Sequence, residues 1–163
     1  GICFIGEKNY KHFIKKYLDP KPGKIKDSNN NILGEHDGLY LYTIGQRKGL
    51  NIGGNKFSDK PWYVYGKDLE TNTLLVVSGD DDPLLYKSNI FIKDFNWLVK
   101  PIEHSFECLV KIRAQSKKKK CRIEFKSNLI KIIMSQEEKA VTPGQYAVLY
   151  DNEICIGGGT IIK

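Results

Sequence analysis

The chain has 163 residues, 40% of them hydrophobic and 28% charged, with 15 glycines and 6 prolines. That balance excludes a disordered, collagen-like or disulfide-scaffold protein and leaves room for one sizeable core or two small ones. The net charge is +7 and is unevenly placed: residues 1–82 carry 12 basic and 11 acidic groups, residues 83–163 carry 14 and 8, so nucleic acid is the leading class of partner.

No apolar run reaches the roughly 20 residues needed to cross a bilayer, and the N-terminus lacks the basic-then-apolar order of a signal peptide. A soluble intracellular protein with no membrane partner is expected. Residues 7–18 place Tyr10, Phe13, Ile14, Tyr17 and Leu18 at helical spacing, which predicts a helix with one apolar face, ended by Asp19-Pro20. Lys8, Lys11 and Lys15 form a stripe on its outer face, and a solvated face is the ordinary reading of such a stripe.

Beyond Pro22-Gly23 turn residues recur about every ten positions, the spacing of β-meanders. The strands expected are Lys24–Lys26, Asn31–Glu35, Gly38–Thr43, Trp62–Lys67 and Leu74–Ser78, then Ile90–Leu98, Phe106–Arg113, Cys121–Lys126, Leu129–Met134, Gln145–Tyr150 and Ile154–Ile162. The fold class is therefore mainly β. Asp80-Asp81-Asp82-Pro83, where the charge balance shifts, marks a boundary between units 1–82 and 83–163; three aspartates before a proline read as a solvated turn more readily than as a cation site.

Strand parity turns Phe106, Cys108, Val110 and Ile112 to one face, and Cys121, Ile123 and Phe125 likewise. Cys108 and Cys121 are thus expected inside a core and inert. Lys117 to Lys120 lie between the two strands; contact with RNA and simple solvation of a turn are equally open readings of that run.

There is no phosphate-binding glycine loop, no dinucleotide fingerprint and no zinc-type spacing among Cys3, Cys108, Cys121 and Cys155. No cofactor or metal site is expected, and His12, His36 and His104 read as structural. Cys3 stands apart because it precedes a helix with Lys8 and Lys11 nearby, a setting that favours a nucleophilic thiolate. Composition alone reads it as a small apolar side chain in a short strand.

Gly1-Ile2-Cys3-Phe4-Ile5-Gly6-Glu7 resembles the motif that carries the second catalytic cysteine of the tRNA-specific 2-thiouridylases. The resemblance continues through Tyr42-Thr43-Ile44-Gly45-Gln46-Arg47-Lys48-Gly49-Leu50, Ile52-Gly53-Gly54 and Pro61-Trp62-Tyr63-Val64. It closes with Ala140-Val141-Thr142-Pro143-Gly144-Gln145 and Cys155-Ile156-Gly157-Gly158-Gly159. It covers essentially the whole chain but only the back part of such an enzyme, and so implies a C-terminal portion: a small β-rich central domain with one N-terminal helix, then an antiparallel β-barrel.

Several expectations follow from that resemblance. The family exchanges O2 of the wobble uridine, position 34, for sulfur in tRNAs for Lys, Glu and Gln, using ATP with Mg to activate the oxygen. Sulfur arrives as a persulfide from a relay protein or a cysteine desulfurase, and Cys3 takes the place of the cysteine that bears it, released through a transient disulfide. The ATP-binding domain and the first catalytic cysteine are not in this chain, so by itself it is expected to be inactive. The residues carried over for tRNA contact are Arg113 and Gln145, with Gln46, Arg47 and Lys48 either touching tRNA or anchoring a glycine-bounded turn. Ala114 stands where the family usually has tyrosine, which removes one stacking ring. A cytoplasmic or organellar-matrix location is expected. Members have also been called tRNA methyltransferases, although no methyl-donor site is visible here. Two rivals remain: a stand-alone RNA-binding barrel module, and a redox or sulfur-carrier protein in which Cys3 works without RNA.

Overall fold

The computed structural model describes residues 13–14, 16–52, 58–99 and 105–162. The chain is mainly β and divides into two compact units, residues 1–82 and 83–163.

Most of the helix expected at 7–18 lies outside the described residues. Phe13 and Ile14 are helical, and the backbone N–H groups of Tyr17 and Leu18 donate to the Ile14 carbonyl at 2.9 and 3.0 Å. Ile14 packs against the core of the first unit. Tyr17 and Leu18, which periodicity places on the apolar face, are instead 72% and 47% exposed. The helical hydrogen bonds end at Leu18, so this last turn runs past the core that Ile14 reaches, and Tyr17 packs its ring on Phe13 at a centroid distance of 5.2 Å.

The first unit is a four-stranded sheet of β1 (Gly23–Asp27), β2 (Ile32–His36), β3 (Trp62–Asp68) and β4 (Thr73–Ser78), in the order β2-β1-β4-β3. It is not a simple meander, because β1 and β4 run parallel and join two antiparallel hairpins. The strand expected at Gly38–Thr43 is absent. Leu39, Leu41 and Tyr42 are all buried, a pattern that alternation cannot satisfy, and Leu39–Leu41 forms a 3-10 turn. Its side chains join Ile25, Val64, Leu74, Val76 and Leu50 in one apolar cluster.

The second unit is a closed antiparallel barrel of β5 (Tyr86–Trp97), β6 (Ser105–Lys111), β7 (Lys119–Lys126), β8 (Leu129–Lys139), β9 (Tyr146–Asp151) and β10 (Ile154–Ile161), in the cyclic order β10-β5-β8-β7-β6-β9. Closure removes free sheet edges. The interior is filled by alternate residues of every strand, among them Ile90, Ile92, Val110, Ile123, Ile132, Ala147, Leu149 and Ile161, each at most 1% exposed. Trp97 packs with Phe95, Phe106 and Phe125 against this core. The glycine run of β10 serves that packing: a Cβ on Gly157 would lie 2.5 Å from both the Asn96 carbonyl oxygen and the Phe95 ring.

Candidate nucleic-acid interface

Three turns hold the residues singled out for RNA contact, two in the barrel and one in the first unit. In the barrel, β8 ends at Lys139 and the chain turns through Ala140-Val141-Thr142-Pro143-Gly144-Gln145 into β9. Pro143 sets its own φ, and Gly144 takes φ 86°, a conformation open to glycine without strain. Ala140 is left-handed at φ 55°, which costs an alanine on the order of 1 kcal/mol and needs support from its surroundings.

Arg113 supplies that support. Its Nη2 donates to the Ala140 carbonyl at 2.7 Å and to the Lys139 carbonyl at 3.3 Å, and Thr142 Oγ1 donates to the same Ala140 oxygen at 3.1 Å. A short turn stapled by Ser116 holds Arg113 itself, with Ser116 Oγ donating to the Arg113 carbonyl at 2.9 Å. Arg113 is exposed and carries five N–H donors; among the described residues Nε and Nη1 have no partner.

Gln145 closes the turn with two backbone bonds: its N–H donates to the Thr142 carbonyl at 3.2 Å, and its carbonyl accepts from Ile161 at 2.7 Å. Its side-chain Oε1 is buried with no hydrogen-bond partner among the described residues. Beside it Tyr146 is 66% exposed. Sequence reasoning did not single out this ring, yet parity held the signal: Ala147 and Leu149 fill the barrel, so Tyr146 must face outward. Ala114 is exposed, as a stacking ring at that position would be.

The lysine run is partly neutralised. Lys118 Nζ sits 2.8 Å from Glu153 Oε2, donates to the Asn152 carbonyl at 3.0 Å and lies 4.4 Å from the Tyr150 ring centroid. Lys119 pairs with the largely buried Glu138 at 2.7 Å. Only half of the run lies in the connection between the strands: Lys117 and Lys118 precede β7, whereas Lys119 and Lys120 belong to it. Lys117 and Lys120 are exposed.

The turn in the first unit is built differently. Gln46 accepts from the Thr43 N–H through Oε1 at 3.0 Å and donates from Nε2 to the Lys48 carbonyl at 2.9 Å. The backbone of Gly45 and Gln46 pairs with Val64 at 2.7 and 3.0 Å and covers the edge strand β3. Gly45 and Gly49 have φ 83° and 74°. Gln46 is thus the anchor of a glycine-bounded turn, and Arg47 and Lys48 project from it, exposed. Arg47 lines a cleft of about 770 Å³ with Lys60 and Trp62.

Cys3 lies outside the described residues. In the barrel, Cys121 is buried and Cys108 half-buried, as parity requires, and the hydrogen bond of Cys121 to Cys108 together with burial pushes the Cys121 thiol pKa up. Among the described residues no three His, Cys, Asp or Glu side chains converge on a common point, and no helix is long and apolar enough to cross a membrane.

A four-stranded mixed sheet followed in the chain by a closed six-stranded antiparallel barrel defines a two-unit, mainly β protein, and matches to known families say which. Residues 11–78 match the model described as the tRNA methyl transferase PRC-barrel domain, and residues 87–161 the model described as the aminomethyltransferase beta-barrel domain. Proteins named tRNA-specific 2-thiouridylase MnmA are similar to it: 43% identical in Francisella philomiragia over 99% of this chain and 46% of the relative, and 44% in Haemophilus influenzae over 100% and 43%. A Geobacillus kaustophilus protein named tRNA-specific 2-thiouridylase MnmA 1 is 44% identical over 99% of this chain and 44% of its own length. The chain belongs to the family of tRNA-specific 2-thiouridylases and corresponds to the C-terminal part of these relatives. It spans about half their length.

Proposed function

We propose that this chain is the tRNA-holding part of an enzyme that converts the wobble uridine of tRNAs for Lys, Glu and Gln to 2-thiouridine. The observation that carries the reading is the Arg113 clamp on the Lys139 and Ala140 carbonyls, which fixes the turn bearing Gln145 and leaves the remaining guanidinium donors for phosphate. Arginine suits that task because its fork matches two phosphate oxygens at once. The Gln145 side chain, whose buried Oε1 has no hydrogen-bond partner among the described residues, offers its amide to a base edge or ribose by turning outward. Tyr146 supplies an exposed ring on which a base can stack.

In this reading ATP with Mg is bound by a domain outside this chain. That domain turns the uridine O2 into a leaving group, and Cys3 presents a persulfide received from a sulfur-relay protein or cysteine desulfurase. The terminal sulfur of a persulfide is a soft nucleophile suited to the activated carbon, and a second cysteine releases it by forming a disulfide with Cys3. The work takes place in the cytoplasm or an organellar matrix, where thiols are kept reduced between turnovers.

Nucleoside analysis of bulk tRNA tests this function. Deleting the gene that encodes the chain should remove 2-thiouridine, the wild-type gene should restore it, and Cys3→Ser should not. Undiminished 2-thiouridine after deletion, or full restoration by Cys3→Ser, would overturn the reading.

A further inference from the structure

The barrel holds a pair of thiols that the proposed tRNA-holding turn does not use. Cys108 of β6 and Cys121 of β7 are Cα partners in the antiparallel ladder, and their Sγ atoms are 3.6 Å apart. Residues directly opposed on antiparallel strands have Cα atoms about 4.5–5.5 Å apart, inside the range a disulfide takes. Closure to an S–S bond of about 2 Å therefore requires side-chain adjustment rather than a change of register. Both residues line a cleft of about 410 Å³, together with Lys120, Arg122 and Ser135, and the partial exposure of Cys108 gives a small reagent access to its sulfur.

We propose that Cys108 and Cys121 form a thiol modification site, a dithiol that low-molecular-weight disulfides of the glutathione type convert to an intramolecular disulfide joining β6 to β7. The Cys108 thiolate attacks one sulfur of the small disulfide, the S–S bond breaks, and one small thiolate leaves. Cys121, after losing its proton to solvent, attacks Cys108 Sγ in the mixed disulfide; the Cys108–Cys121 bond forms and the second small thiolate leaves. Two protein thiols are oxidised, one small disulfide is reduced to two thiols, and the two protons released balance those the small thiolates take up. The order follows from the geometry. Cys121 is buried, its Sγ–H donates to the Cys108 carbonyl at 3.6 Å and its sulfur lies 3.6 Å from that of Cys108, so it stays protonated while the half-exposed Cys108 reacts first. The closed link staples the two strands that lead into the turn carrying Arg113.

The test uses protein with Cys3→Ser and Cys155→Ser, so that of this chain's four cysteines only the pair remains, equilibrated across ratios of oxidised to reduced glutathione, alkylated and mapped by peptide mass spectrometry without reduction. The proposal predicts that both thiols lose alkylation together, with a loss of two hydrogen masses and a peptide joining β6 to β7. Adding Cys121→Ser should trap one glutathione on Cys108, whereas adding Cys108→Ser should give no adduct on folded protein. If both thiols remain alkylatable at about a hundredfold excess of oxidised glutathione, or if Cys108 takes a stable adduct that Cys121 never resolves, the proposal is overturned. The linked peptide is read without the two added variants, so a folding failure in either leaves the test intact.

Discussion

The Gln46 turn and the Gln145 turn look alike in sequence, each a glutamine beside glycine in a motif shared with the same enzyme family, but their side chains are held in opposite ways. Gln46 uses both ends of its amide inside its own loop, and that loop covers a sheet edge. Gln145 leaves its amide oxygen buried and unpaired while an arginine from another turn fixes the backbone around it. A satisfied amide maintains a fold, because moving it breaks hydrogen bonds. An unsatisfied one in a fixed turn can rotate toward a ligand without breaking any, and leaving it unpaired costs about 1–3 kcal/mol that a ligand can recover.

Substitutions can break or sharpen this contrast, and the largest effect should come from Arg113→Ala. It removes a cation from the interface and the clamp from the Ala140 turn, and tRNA affinity should fall by about 2 kcal/mol, some thirtyfold, in filter binding. Gln46→Ala should act on stability instead, lowering the unfolding free energy of the first unit by about 1–2 kcal/mol in urea titration with tRNA affinity unchanged. Gln145→Ala should do the reverse: a several-fold loss of affinity and a stability equal to or slightly above wild type, since a buried unpaired oxygen is removed.

A pH experiment separates the units in another way. His36 is 2% exposed, donates from Nε2 to the Asn72 carbonyl at 3.1 Å and leaves Nδ1 buried without a partner among the described residues, and burial lowers its pKa below the ordinary histidine value. The unfolded chain then accepts a proton that the folded unit refuses. Stability of the first unit should therefore be full above the ordinary histidine pKa and fall, by up to about 1.4 kcal/mol per pH unit, as pH drops from there toward the lowered folded value. His36→Gln should flatten that slope. The smallest effect belongs to Lys118→Ala, whose charge is already met by Glu153; both stability and tRNA affinity should change by less than about 0.5 kcal/mol.

Much of this architecture was legible in the residues. Turn residues recurring about every ten positions gave ten strands within about five positions, and alternation turned Cys108 and Cys121 inward, because a barrel wall has one wet and one dry face. The strand expected at Gly38–Thr43 failed because three neighbouring apolar residues had to be buried together, which only a tight turn allows. The parallel pairing of β1 with β4 left no local signal, since it depends on contacts fifty residues apart. The site was half legible. Resemblance pointed to Arg113 and Gln145, yet the clamp that joins their turns crosses from residue 113 to residue 140, and no spacing rule encodes it. The internal partners of Lys118 and Lys119 were hidden for the same reason: Glu153 and Glu138 reach them only through the barrel's closure.

The central claim is that the Arg113 turn, and not the net charge, gives the barrel its hold on tRNA. The direct test measures binding of the protein to unmodified tRNA for Lys and to duplex DNA of equal charge across a salt series, for wild type, Arg113→Ala and Gln46→Ala. Salt dependence reports the number of phosphates neutralised. The account predicts a preference for tRNA that Gln46→Ala keeps and Arg113→Ala loses, with a shallower salt slope for the latter. Equal, weak binding of both polyanions that Arg113→Ala leaves unchanged would contradict it and assign the affinity to the +7 charge alone.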